Sequence, residues 1–99
     1  MAKLGLHLQD GFSGDEIVIK INGEERMRRE KVSTRRVLGL AEHAELDVED
    51  GPLAIEVSMP ARGLEKRVDL EASGEAYVGI SLAGDDLRVI TRKTPFAYG

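Results

Sequence analysis

The chain of 99 residues contains no cysteine and no tryptophan. Without cysteine the fold has neither disulfides nor thiolate metal ligands, which is typical of a reducing compartment. No stretch approaches the roughly 20 apolar residues of a membrane-spanning helix, and no apolar leader segment opens the sequence. We therefore expect a soluble cytoplasmic protein, with a module of a larger secreted protein as the alternative.

Aromatic residues are also scarce, and the 14 basic residues are outnumbered by 18 acidic ones. Two Phe and two Tyr are few for the flat aromatic platform that a carbohydrate-binding module usually needs. A net charge of -4 and a pI near 5.2 argue against general nucleic-acid binding, which usually needs a basic face. The serines lack a nucleophile-elbow context, and no phosphate-binding or dinucleotide-binding glycine motif is present. These absences favour a protein that is not an enzyme.

What the sequence does contain is strict alternation of apolar and polar residues. Ile17, Ile19 and Ile21 share one face of a predicted strand, and Asn22-Gly23 follows as a hairpin turn. A two-residue loop would place Arg26 and Arg28 opposite these isoleucines.

Burial of the isoleucines therefore favours a three-residue loop with a glycine bulge, which sets Ile17 opposite Met27 and Lys20 opposite Glu24. We expect positive φ at Gly23 in this turn.

The same alternation recurs along the rest of the chain, with turn residues every 8–12 positions. This spacing predicts a single all-β domain over residues 1–99: an antiparallel β-sandwich of about eight strands with a short C-terminal tail at 94–99. An immunoglobulin-like and a transthyretin-like strand order both remain open. A parallel sheet is not expected, because the chain has no long βαβ crossover segments.

The segment 33–46 is ambiguous between helix and strand. The apolar residues have helical spacing, which favours a helix, but a glycine in the middle of the pattern disfavours one. We favour a strand over residues 35–40, followed by a loop or a single helical turn at residues 41–43.

Two features are candidates for partner binding. The first is a basic run on and after the third predicted strand, and the second is a pair of aromatic residues in the tail. The basic residues could bind an acidic partner, or they could be a solvated face or a charge-protected sheet edge. The tail aromatics could cap the core or contact another chain. The residues are Arg26, Arg28, Arg29, Lys31, Arg35 and Arg36, and Phe96 and Tyr98.

Metal and cofactor sites are not expected. His7 lies on the outward phase of the first strand and His43 in a predicted connection, so we expect two independent surface histidines. The acidic turns lack the spacing of an EF-hand loop.

Together these patterns predict a non-enzymatic β-sandwich that binds another protein or a second copy of itself. Edge strands would support this role, since a small open sandwich can extend its sheets across a symmetric dimer. A small-ligand or carbohydrate-binding module, with a cleft lined by Tyr77 or Phe12, is one alternative. An accessory domain or subunit of an enzyme is another.

Overall fold

A computed structural model describes residues 2–34 and 40–94, which form two four-stranded sheets packed as a β-sandwich. The strands are β1 Ala2–Leu8, β2 Asp15–Ile21, β3 Glu24–Val32, β4 Glu42–Val48, β5 Gly51–Met59, β6 Leu64–Ala72, β7 Glu75–Ala83 and β8 Asp86–Arg92. A short 3-10 helix, Pro60–Arg62, lies between β5 and β6. Sheet A has the order β4-β1-β7-β8 and sheet B the order β3-β2-β5-β6. The all-β sandwich of about eight strands predicted from the alternation is confirmed.

The core confirms the predicted inward faces. Leu4, Leu6 and Leu8 of β1 have no exposed surface, and the inward residues of β2, β5 and β7 are likewise buried. The edge strands bury less, because each is covered by a neighbour on one lateral side only. Val68 and Leu70 on β6 and Val89 on β8 are therefore half-buried.

The β2–β3 hairpin differs from the prediction. A two-residue turn forms at Asn22-Gly23, with Ile21 opposite Glu24 and both turn residues at positive φ, 51° and 83°. The positive φ at Gly23 is confirmed, but the three-residue loop is wrong.

A β-bulge after the turn then shifts the register and sets Ile19 opposite Met27. A second shift further along sets Arg29 opposite Ile17, so the predicted pairs Ile17–Met27 and Lys20–Glu24 are wrong. The first shift keeps Arg26 from lying opposite Ile19. The extra residue lies within β3 instead of in the loop.

Two further predictions need correction. β1 and β7 pair in parallel, whereas the pairs β1–β4, β2–β3, β2–β5, β5–β6 and β7–β8 are antiparallel. The chain between them spans several strands of both sheets, so a parallel pair forms without a helical crossover. The loop or turn predicted at 41–43 is also wrong, because β4 begins at Glu42. The strand predicted over 35–40 lies almost wholly outside the described residues; Leu40 is described as an isolated bridge.

Candidate functional site

The two lateral sides of the sandwich differ in how they end. One side is formed by the edge strands β3 and β4, and side chains of β3 cross from sheet B to sheet A there. The Arg29 Nε donates to Glu42 Oε1 at 2.7 Å, and the Arg26 Nη2 donates to the Asp47 carbonyl at 3.0 Å. We call this the closed side, since these contacts join the two sheets.

The edge strand β3 is also irregular. Its pairing with β2 shifts register twice, and Lys31 at the second irregularity has a φ of 56°. Arg29 lies opposite the buried Ile17, so a charged residue occupies the inward phase at the edge. Bulges and inward-phase charges are devices that prevent another strand from adding to a sheet edge. The closed side is therefore poorly suited to β-strand pairing.

The opposite side, formed by β6 and β8, has a different character. A groove of about 240 Å³ runs between these strands and is lined by Leu70, Glu71, Ala76, Thr91, Arg92 and Lys93. Half-buried Val68 and Val89 lie along the same two strands. Ile90 on β8 is 53% exposed, and it is the one exposed large apolar side chain in the described part of the chain. We call this the open side.

The backbone of β8 is regular. All seven of its residues pair with β7 in one continuous register. On β7, the Ile80 carbonyl accepts from Gln9 N, and Leu82 N donates to the Asp10 carbonyl. The backbone N–H and C=O groups of the even-numbered residues of β7 therefore point toward β1.

Its odd-numbered residues therefore bond to β8, which leaves the N–H and C=O groups of Leu87, Val89 and Thr91 pointing to the outer edge. Within residues 2–34 and 40–94, no strand pairs with that edge.

The outer face of sheet A contains the two histidines. His7 and His43 are directly opposite on β1 and β4, and their rings stack at a centroid distance of 6.0 Å. The prediction of two independent surface histidines is therefore wrong: the cross-strand register brings them together. Partial burial, and then the neighbouring His43, lower the pKa of His7.

Tyr77 completes this face. Its ring lies over Gly5, where a Cβ atom would approach the ring to 2.7 Å, and its centroid is 6.3 Å from that of His7. The Tyr77 hydroxyl donates to Glu75 Oε2 at 2.8 Å; this bond and burial raise the pKa of the Tyr77 hydroxyl.

An ion pair anchors the beginning of β2. The Asp15 carboxylate accepts from Arg62 Nε and from Ser13 N, both at 2.8 Å. Burial would raise the pKa of Asp15, but these two donors outweigh it and hold the pKa below the usual 3.8. Because Arg62 lies just before β6, this pair ties the open side to β2.

The described residues do not form other kinds of site. No group of three or more His, Asp or Glu side chains within ranges 2–34 and 40–94 could hold a metal ion. In the same ranges, no helix has the length and apolar character needed to cross a bilayer.

The small-ligand alternative predicted a cleft at Tyr77 or Phe12. Phe12 is buried in the core, and neither residue lines the open-side groove or a second groove of about 280 Å³ near Asn22.

The residues predicted to bind a partner divide into three groups. Arg26, Arg28 and Arg29 are engaged in contacts within the molecule: Arg26 and Arg29 contact β4, and Arg28 pairs with Glu16 and Glu25 at 3.2 and 2.9 Å. Lys31 is exposed at the second irregularity. The others, Arg35, Arg36, Phe96 and Tyr98, lie outside the described residues. Partner binding by any of them stays a prediction.

The sequence reasoning missed the edge of β8. The signal was present in the run Leu87 to Ile90, where Val89 and Ile90 are adjacent, so one apolar residue must face outward. No protein-family model, curated protein or solved structure matches this chain. The assignment of function therefore depends on the geometry.

Proposed function

We propose that the protein is a non-catalytic module that binds another protein through the open side of its sandwich. The observation that carries this proposal is the edge of β8, where a regular strand presents backbone groups that no strand within residues 2–34 and 40–94 pairs with, beside the exposed Ile90. Addition of a partner strand to such an edge is a common mode of protein recognition, because main-chain hydrogen bonds supply affinity.

The contrast with the closed side supports this choice of surface. Edge strands with bulges and charges resist pairing, and β3 has both. β8 has neither a bulge nor a proline. Its inward-phase residues are Leu87, Val89 and Thr91, all without charge, so a partner strand would extend an apolar seam.

The groove also favours a protein partner over a small ligand. Its volume of about 240 Å³ is below the roughly 300–1,000 Å³ of typical ligand pockets, and it is an open trough between two edge strands. A partner that lies along β8 would cover this trough from the side.

Photo-crosslinking tests the proposal. A photoreactive phenylalanine analogue replaces Ile90 on the open side, and in the control protein it replaces Lys31 on the closed side. In extracts of the cells that make the protein, we expect discrete adducts from position 90 and none from position 31. The crosslinked protein is identified by mass spectrometry, purified and tested for binding that Ile90→Lys weakens at least about tenfold, or 1.4 kcal/mol.

Two results would contradict the proposal. One is adducts of equal yield from both positions. The other is binding to the purified partner that Ile90→Lys leaves unchanged.

A further inference from the structure

We infer that the partner of the open side is a second copy of this chain, joined by antiparallel pairing of β8 with β8 of the copy across a two-fold axis. The inference rests on the proposed function of that side. It follows from the backbone, the charges and the side chains of β8, which together favour one register.

The backbone restricts the possible registers. In a symmetric antiparallel pair, the residue on the axis lies opposite itself in the copy. The groups that point to the outer edge belong to Leu87, Val89 and Thr91. These three residues can bond only to one another across the edge, so the axis passes either through one of them or through the residue that lies between two of them.

Strand length then selects Val89. An axis at Val89 pairs all seven residues of β8, whereas an axis at Arg88 or Ile90 pairs five and an axis at Leu87 or Thr91 pairs three. The register centred on Val89 forms about six hydrogen bonds, two for each outward-pointing residue. The result is one continuous sheet through both molecules.

The charges agree with the same register. With Val89 on the axis, Asp86 lies opposite Arg92 of the copy, and this opposite-charge pair occurs twice. No like charges face each other, because Arg88 lies opposite Ile90. An axis at Arg88 would oppose two Arg88 side chains, and an axis at Ile90 would set Arg88 opposite Arg92. Asp86 already accepts from Arg88 Nε at 3.0 Å, so an arginine from the copy would flank it from its other side.

The side chains complete the match. Val89 meets Val89 on the inward face, where both are half-buried in the isolated chain. On the outward face, the aliphatic stem of Arg88 would cover Ile90 of the copy, as long charged side chains do over apolar surface. On β6, by contrast, Lys66 occupies the inward phase opposite Val57 and is exposed, which protects that edge. β8 is therefore the pairing strand.

Charge reversal with complementation tests the inference. Asp86→Arg and Arg92→Asp each place like charges opposite one another twice, so each should weaken association at least about tenfold. An equal mixture of the two variants restores both opposite-charge pairs in the mixed dimer. The double variant Asp86→Arg/Arg92→Asp restores them within one chain. Mass in solution is followed by analytical ultracentrifugation from about 1 μM to about 1 mM.

The controls are Glu49→Arg and Lys31→Asp, which make matched charge changes away from the open side, and thermal melting shows that every variant folds. We expect wild type, the controls, the mixture and the double variant to dimerise alike, and each single variant to remain mostly monomeric. A wild type that is monomeric at about 1 mM, single variants that associate as tightly as wild type, or a mixture without recovery would each overturn the inference. If the purified protein is monomeric while position 90 crosslinks to a different, verified protein, the inference fails and the proposed function stands.

Discussion

The two sides of this sandwich differ in how their edge strands are protected against pairing with another strand. At the closed side, Arg26 and Arg29 link β3 to β4, and two irregularities disrupt the edge of β3. At the open side, β8 is regular and its neighbour β6 leaves Leu70 half-buried. A chain that needed only to stay monomeric would gain from protection on both sides. The difference marks the open side as the one available for pairing.

The largest expected effect is the loss of the whole fold, which would abolish both the closed and the open side. Ile19 is fully buried opposite Met27, so Ile19→Asp would place an unpaired charge in the shared core and prevent folding. Lys20→Asp, a change at the adjacent exposed position, should leave the fold intact. Circular dichroism shows for each of the two variants whether the β-sheet structure forms. A folded Ile19→Asp variant would show that the inward face of β2 is assigned wrongly.

A smaller effect is expected where the open side is tied to β2. Asp15→Asn removes the charge that Arg62 and the Ser13 N–H bind, and it should lower the free energy of unfolding by about 2 kcal/mol. Chemical denaturation at pH 7 measures this change. An unchanged free energy would mean that the ion pair does not support the fold.

The pH dependence sharpens the same test. The folded-state pKa of Asp15 lies below its usual 3.8, so its contribution is present above about pH 4 and is lost as the pH falls through the folded-state value. Wild type should therefore lose its advantage over Asp15→Asn under acidic conditions. An advantage that stays constant down to pH 2 would contradict this origin.

Thr91→Pro separates pairing from folding on the open side. The Thr91 N–H points to the outer edge of β8, so its loss removes no bond to β7 but blocks bonding to a copy. We expect association at least about tenfold weaker, a cost of about 1.4 kcal/mol, with the melting temperature changed by only a few degrees. The matched change Arg88→Pro removes an N–H that bonds to β7 and should destabilise the fold itself. Equal effects of the two prolines on stability would refute the assigned bonding pattern.

The smallest effect is expected on the closed side. Arg29→Glu opposes Glu42 across the two sheets and should cost about 1 kcal/mol or less, because both side chains are partly exposed. Arg28→Glu, whose partners lie on β2 and β3 of the same sheet, should leave the link between the sheets unchanged. Chemical denaturation compares the two variants. A loss of several kcal/mol for Arg29→Glu would contradict the assignment of this ion pair to a partly exposed edge.

The sequence was sufficient to predict the class of fold but not its edges. Alternation assigned the buried faces of β1, β2, β5 and β7, because burial and strand period act through the same residues. It could not show that β1 pairs with β7 in parallel, since pairing is a tertiary choice among similar strands. The stacking of His7 on His43 was missed for the same reason, because the register between β1 and β4 cannot be predicted from the sequence of either strand alone.

The most direct test of the central claim is amide hydrogen exchange at single-residue resolution, measured at about 1 μM and about 1 mM protein. We predict that the amides of Leu87, Val89 and Thr91 exchange more slowly at the higher concentration. The amides of Arg88 and Ile90, already bonded to β7, should not respond, and neither should those of β3. Exchange that is independent of concentration at β8, or protection that appears at β3 instead, would contradict the account.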